Sequence, residues 1–198
     1  MKLLAFVDMH GSLSALKSIR EKAKNCDIII CAGDFTIFEQ SMQHFIDEFD
    51  KLKKQVLIMH GNHEEDEEIK MMCKRHKNLI PLHSSSFIKD DVLFLGWGGG
   101  GFSLREPDFE KTAKDFKKLI QQHKDKAVVF VTHAPPYGTK LDKLGKEHAG
   151  NKSFTEFLEK NKIDLMICGH LHENEGNIDK VGLTTVINPG PKGREIKL

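Results

Sequence analysis

The stretch Lys2-Leu3-Leu4-Ala5-Phe6-Val7-Asp8-Met9-His10-Gly11 decides how the chain is read. Leu3–Val7 is an unbroken apolar run too short for a helix, so it predicts a strand buried on both faces. The run stops at two metal-ligand residue types, Asp8 and His10, and then at a glycine. The same grammar recurs four times. Ile28–Ala32 runs into Gly33-Asp34, and Val56–Met59 into His60-Gly61-Asn62-His63. Ala127–Val131 runs into Thr132-His133, and Ile163–Cys168 into Gly169-His170-Leu171-His172. Taken singly, each block reads as an ordinary turn or cap. Five of them in order, each closing an apolar strand, form a joint signal. In open α/β sheets ligands bind outside the carboxyl ends of strands, so these blocks are expected to converge on one edge.

Outward from these blocks, apolar runs alternate with segments of helical period. Ser12 can cap a helix carrying Leu13, Leu16 and Ile19 on one face. Met42, Phe45, Ile46, Phe49 and Leu52 make a second stripe. Glu64 to Lys77 starts acidic and ends basic, the order that complements a helix dipole. Pro107 to Lys124 and a shorter segment around Phe154, Phe157 and Leu158 complete the helices. Val92–Leu95 and Thr184–Ile187 read as further strands, and Phe87–Ile88 pairs with Val92–Leu95 across Asp90-Asp91. Strand–helix alternation predicts an α/β fold with a largely buried, partly mixed sheet, organised as a single domain over residues 1–198.

Composition narrows the function. The chain has 198 residues with 30 Lys+Arg against 29 Asp+Glu, a net charge of +1. That balance lacks the basic footprint of a nucleic-acid binder, so no stable nucleic-acid partner is expected. No run approaches the ~18 apolar residues of a membrane span. The opening apolar run is shorter than the ~7–15 residues of a signal-peptide core, and it reads as a strand. The cysteines, Cys26, Cys31, Cys73 and Cys168, make no CxxC pair, which predicts buried, reduced thiols and a cytoplasmic location. The anomaly is 11 His beside one Tyr, since His serves mainly as ligand, acid–base group or switch.

The candidate ligands at the strand ends are two Asp, one Asn and several His, with no Cys. Mixed imidazole and carboxylate donors suit Mn²⁺, Fe or Zn²⁺ and disfavour Ca²⁺ and iron–sulfur clusters. Seven donors exceed one tetrahedral site and match two adjacent ones sharing a carboxylate. Two such ions ~3.5–4 Å apart can clamp an in-line displacement at phosphorus and make a bridging hydroxide nucleophilic near neutral pH.

Asp8-x-His10, Gly33-Asp34, Gly61-Asn62-His63, His133 and Gly169-His170-x-His172 together resemble the signature blocks of the calcineurin-like metallophosphoesterases. The resemblance spans Asp8 to about Pro191. It implies a four-layer α/β/β/α sandwich with two mixed sheets. It also implies that Asp8, His10 and His172 hold one divalent ion, that Asn62, His133 and His170 hold the second, and that Asp34 bridges them, with manganese foremost and iron or zinc as alternatives. His63 is implied to be no ligand but the residue that faces the phosphate and either protonates the leaving oxygen or stabilises the transition state.

Within that superfamily Gly33-Asp34-Phe35-Thr36, Thr132-His133-Ala134-Pro135-Pro136 and Gly169-His170-Leu171-His172-Glu173 look most like the small single-domain members associated with phosphodiesters. Protein Ser/Thr phosphatases carry a longer Gly-Asp-x-x-Asp-Arg-Gly block; here Ile37 and Phe38 stand where its second Asp and its Arg would be. A bidentate guanidinium is a natural clamp for a dianionic monoester, so its replacement favours a monoanionic diester. The expected substrate is a small nucleotide-like or cyclic phosphodiester. A broad phosphomonoesterase is the alternative within enzymes, and an interaction scaffold on the same fold is the alternative outside them, although every ligand position is filled. The loop Gly96-Trp97-Gly98-Gly99-Gly100-Gly101-Phe102 reads either as a lid or stacking platform, or as a turn with Trp97 in the core. Arg105 reads first as a solvated surface arginine and second as a phosphate contact, Tyr137 is a candidate for substrate contact, and His60 borders the site.

Overall fold

The computed structural model describes all 198 residues. The first half of the chain forms β1 (Lys2–Phe6), α1 (Leu13–Ala23), β2 (Ile28–Cys31), α2 (Met42–Asp50), β3 (Val56–Ile58), α3 (Asp66–Cys73) and β4 (Leu79–Pro81). A hairpin follows, β5 (Ser85–Lys89) and β6 (Val92–Trp97), then α4 (Pro107–Gln122) and β7 (Ala127–Thr132). Next come the short pair β8 (Lys143–Leu144) and β9 (Glu147–His148), then α5 (Lys152–Lys160) and β10 (Leu165–Ile167). The chain closes with β11 (Ile178–Val181), β12 (Thr184–Ile187) and β13 (Arg194–Lys197).

Two large sheets result, of order β13-β1-β2-β3-β4 and β11-β12-β10-β7-β6-β5. The interiors are parallel, and β13, β11 and β5 join their neighbours antiparallel. The expected Phe87–Ile88 pairing is present, with Phe87 opposite Phe94 and Ile88 opposite Leu93.

The unbroken apolar runs are explained by a layer on each side of every interior strand. Along β1, Leu4 and Phe6 pack towards α1, α2 and α3, while Leu3 and Ala5 face the other sheet. Along β7, Val128 and Phe130 pack towards α4 and α5, while Val129 and Val131 face inward. With a side-chain period of two, both sets must be apolar. The stacking order is therefore helices, sheet, sheet, helices, as the four-layer expectation had it. Each such side chain taken out of water contributes about 1.5–3 kcal/mol, which makes the central sheet pair a stiff platform.

Helix ends follow local chemistry. Ser12 caps α1, its hydroxyl accepting from Ala15 N at 3.2 Å. Asn151 caps α5 by accepting from Ser153 N and Phe154 N. The acidic run differs from its reading in one respect: α3 starts at Asp66, and Glu64 is buried elsewhere. No helix is long and apolar enough to cross a membrane.

Candidate metal centre

Strands β1, β2 and β3 of one sheet and β7 and β10 of the other end on the same edge, and all five sequence blocks meet there. Hydrogen bonds tie these strand ends together: within each sheet Asp8 N donates to the Gly33 carbonyl at 3.1 Å and Gly169 N to the His133 carbonyl at 2.8 Å, and between the sheets His170 N donates to Asp8 Oδ2 at 3.0 Å. The backbone there is strained. Asp8, His10, Asp34 and His170 have φ of 55°, 44°, 51° and 70°, the left-handed region that non-glycine residues avoid. Such residues cost about 1–3 kcal/mol each and persist where the surroundings over-determine them, typically at functional sites.

Asp34 lies at the centre. Its Oδ1 accepts from the backbone N–H of Asn62 at 2.5 Å and of His63 at 3.0 Å. Its Oδ2 points the other way, 3.3 Å from His133 Nε2 and 3.9 Å from His10 Nε2. Gly61 is required for this approach, since a Cβ there would overlap Asp34 Oδ1.

Backbone partners set the imidazole tautomers. His133 Nδ1 lies 3.0 Å from the Ala32 carbonyl and His10 Nδ1 lies 3.2 Å from the Thr36 carbonyl. A carbonyl only accepts, so both Nδ1 atoms carry hydrogen, and the neutral rings present bare Nε2 lone pairs to the cluster. His10 Nε2 is 2.9 Å from His172 Nε2, which is 3.9 Å from Asp8 Oδ1. The buried Nε2 atoms of His133 and His170 have no hydrogen-bond partner.

This donor set fits a pair of divalent cations. Two donors on one ion at about 2.1 Å stand about 3–3.4 Å apart, close to the spacings of the Asp34–His133 and His10–His172 pairs. Donor atoms of Asp8, His10 and His172 lie within 4.8 Å of one another, as do those of Asp8, Asp34 and His133 and those of His10, Asp34 and His63. Asp34 is shared between the last two groups. His170 sits beside His133, ring centroids 5.3 Å apart. Asn62 is at the rim with its side chain exposed.

Charge is poised accordingly. Burial alone would raise the Asp34 carboxyl, but the His133 imidazole and the N–H groups of His63 and Asn62 outweigh it and hold it well below the usual carboxylate range. Asp8 is the opposite case: burial, with the Asp34 charge beside it, pushes its carboxyl up to about 6 against the pull of His133 and His172. Burial would lower the His133 imidazole, yet the Asp34 and Asp8 carboxylates bring it above its ordinary value. Burial holds His170 down at about 4. Two carboxylates and several bare imidazole nitrogens packed this closely repel one another unless cations intervene.

His63 differs from the other site histidines. Its Nδ1 accepts the backbone N–H of Phe38 at 3.2 Å, so the neutral ring carries its hydrogen on Nε2. That backbone amide is the partner that orients the His63 ring.

One organising residue escaped the sequence reading. Glu64, hidden in the acidic run, is buried and accepts from Asp34 N at 3.0 Å, Thr36 N and Thr36 Oγ1 at 2.8 Å, and Gly61 N at 3.1 Å. It ties the loop carrying Asp34 to the loop carrying Asn62 and His63. Its position directly after Gly-Asn-His was the available signal. Other candidates resolve as follows. Trp97 is a core residue packed on Phe109 and His83. Arg105 bridges Glu110 and Glu156 at the surface. Tyr137 packs on His148 with Lys152 over its ring. His60 is a mostly buried neighbour of His83 under the glycine loop, held at about 4 by burial.

Residues 1–174 match the family described as calcineurin-like phosphoesterase. The chain belongs to this family. The phosphoesterase is 32% identical to the uncharacterized protein MJ1162 of Methanocaldococcus jannaschii, over 97% of this chain and 89% of that one. It is 27% identical to the UPF0046 protein K07C11.7 of Caenorhabditis elegans, over 100% of this chain and 72% of that one. Among solved structures it shares its fold with TT1561 of Thermus thermophilus, at 18% identity and a TM-score of 0.74, covering 96% of this chain and 90% of that one. A dimetal phosphatase from Danio rerio has the same fold at 11% identity and a TM-score of 0.66, covering 94% and 86%. Membership of this family implies hydrolysis of phosphoesters.

Proposed function

We propose that this phosphoesterase hydrolyses a small phosphodiester, nucleotide-like or cyclic, with two divalent cations and with manganese as the preferred metal. Asp8, His10 and His172 would hold one cation, Asn62, His133 and His170 the second, with Asp34 between them. When bound, the cations would neutralise phosphoryl charge and lower the pKa of a water. The observation that carries the reading is the division of labour among the histidines. His10 and His133 turn bare Nε2 atoms inward because carbonyls take their Nδ1 hydrogens, whereas the neutral His63 ring, beside His10 and Asp34, carries its hydrogen on Nε2 because an amide donates to its Nδ1. His63 would hold its proton for the leaving oxygen.

The diester preference rests on charge. Phe38 occupies the place of the phosphatase arginine, and Arg105 is committed to two glutamates. A diester carries one negative charge and needs no third cationic clamp. The test is metal-dependent turnover of bis-p-nitrophenyl phosphate against p-nitrophenyl phosphate, with Mn²⁺ added or removed by chelator. Faster turnover of the diester that vanishes with chelator is expected. Preference for the monoester would overturn the diester reading.

A further inference from the structure

Two phenylalanines stand exposed at this edge when most of the chain's aromatic rings are buried. Phe38 is 73% exposed and Phe102 is 67% exposed. Each leans on a histidine of the site. The Phe38 ring lies 4.4 Å from the His63 ring, centroid to centroid, and the Phe102 ring 4.7 Å from that of His170. They lean on different members of the histidine cluster. His63 neighbours His10, at 4.8 Å, whereas His170 neighbours His133, at 5.3 Å.

Both rings are held there by backbone that would otherwise relax. Phe38, Glu39 and Ser41 have φ of 45°, 61° and 57°. That loop is pinned by Glu39 N donating to the His63 carbonyl at 3.0 Å and by Glu65 N donating to Glu39 Oε1 at 3.0 Å. On the other side Gly101 lets the loop before Phe102 come so close that a Cβ would stand 2.6 Å from Asn62 Nδ2. Exposed aromatic rings gain nothing for folding. Beside a phosphate site they offer flat apolar faces for stacking, which is tolerant of the ring that stacks.

We infer that Phe38 and Phe102 are two specificity walls beside the histidine cluster, selecting diesters with flat aryl or nucleobase arms. Phe38, over the proton-holding His63, takes the leaving arm. Phe102, over His170, takes the arm that stays on phosphorus. This inference rests on the diester reading above.

The experiment uses the Mn²⁺-loaded full chain and two substrates with the same leaving group, bis-p-nitrophenyl phosphate and methyl p-nitrophenyl phosphate. Phe102→Ala should lower the ratio of their kcat/KM values roughly tenfold, because only the first has a retained ring to lose, and Phe102→Tyr should restore the ratio. Phe38→Ala should raise KM for both together and leave the ratio near its starting value, with Phe38→Tyr restoring it. A ratio unmoved by Phe102→Ala, with both diesters turned over, would overturn the inference alone. Failure of the unaltered enzyme to hydrolyse either diester would overturn the diester reading and the inference with it.

Discussion

The backbone N–H of Phe38 donates to Nδ1 of His63 at 3.2 Å, and this contact separates His63 from the histidines around it. The amide survives substitution of the Phe38 side chain, so it sets the tautomer whatever ring stands there. Replacing the imidazole itself removes the acid. His63→Ala should lower kcat by about 10²–10⁴-fold, the range for loss of a general acid, while bound metal measured by elemental analysis stays unchanged. Loss of metal from that variant would show His63 to be a ligand.

Asp34 turns one oxygen to the backbone and the other to His133 and His10, so its charge serves both halves of the site. Asp34→Asn keeps an acceptor for the Asn62 and His63 amides but removes the charge. Metal content after dialysis should fall for both ions together, with activity lost in parallel. Retention of one tightly held ion would show that Asp34 does not bridge.

Glu64 satisfies three backbone amides and one hydroxyl with two oxygens. Glu64→Ala leaves them unpaired in a buried setting, at a cost of about 2–4 kcal/mol in urea unfolding. Glu64→Gln should cost nearly as much, because an amide NH₂ would face N–H donors. A Gln variant as stable as the unaltered protein would mean that only one carboxylate oxygen is used.

His60 and His83 form a partly buried imidazole pair beneath Gly98 and Gly99, and burial foremost lowers both, His60 to about 4 from an ordinary 6.5. Well above pH 6.5 neither the folded nor the unfolded chain protonates them, and their contribution is constant. As pH falls below 6.5 the unfolded chain takes up protons that the folded chain refuses, so stability drops until about pH 4. The loss from His60 is at most about 3 kcal/mol. Urea midpoints of chelated protein at pH 7.5 and pH 5 should show the decline. His83→Asn, which can still accept the Gly98 amide but does not titrate, should flatten it. A steeper decline in that variant would refute the assignment.

The strands covered on both faces and the ingredients of the site were legible in the residues, whereas the stacking of two sheets in four layers came only with the family resemblance and is shown by the fold. Unbroken apolar runs such as Leu3–Val7 can only be strands covered on both faces, and a donor at each strand end can only lie along a sheet edge. Those are consequences of local periodicity and of where polarity begins. Tertiary structure alone decided what each donor does. Glu64 looked like one more acid of a helix start until two loops folded around it. The glycine loop carries its exposed ring at Phe102 and buries Trp97, because Trp97 is the last residue of β6 and its side chain falls on the core face of the strand. His10, His133 and His63 are the same residue type in similar blocks, and only the carbonyls of Thr36 and Ala32 and the amide of Phe38 distinguish lone pair from proton. Those partners are 26, 101 and 25 residues away along the chain. No local pattern encodes them, since a hydrogen bond of that separation exists only once the sheets have packed.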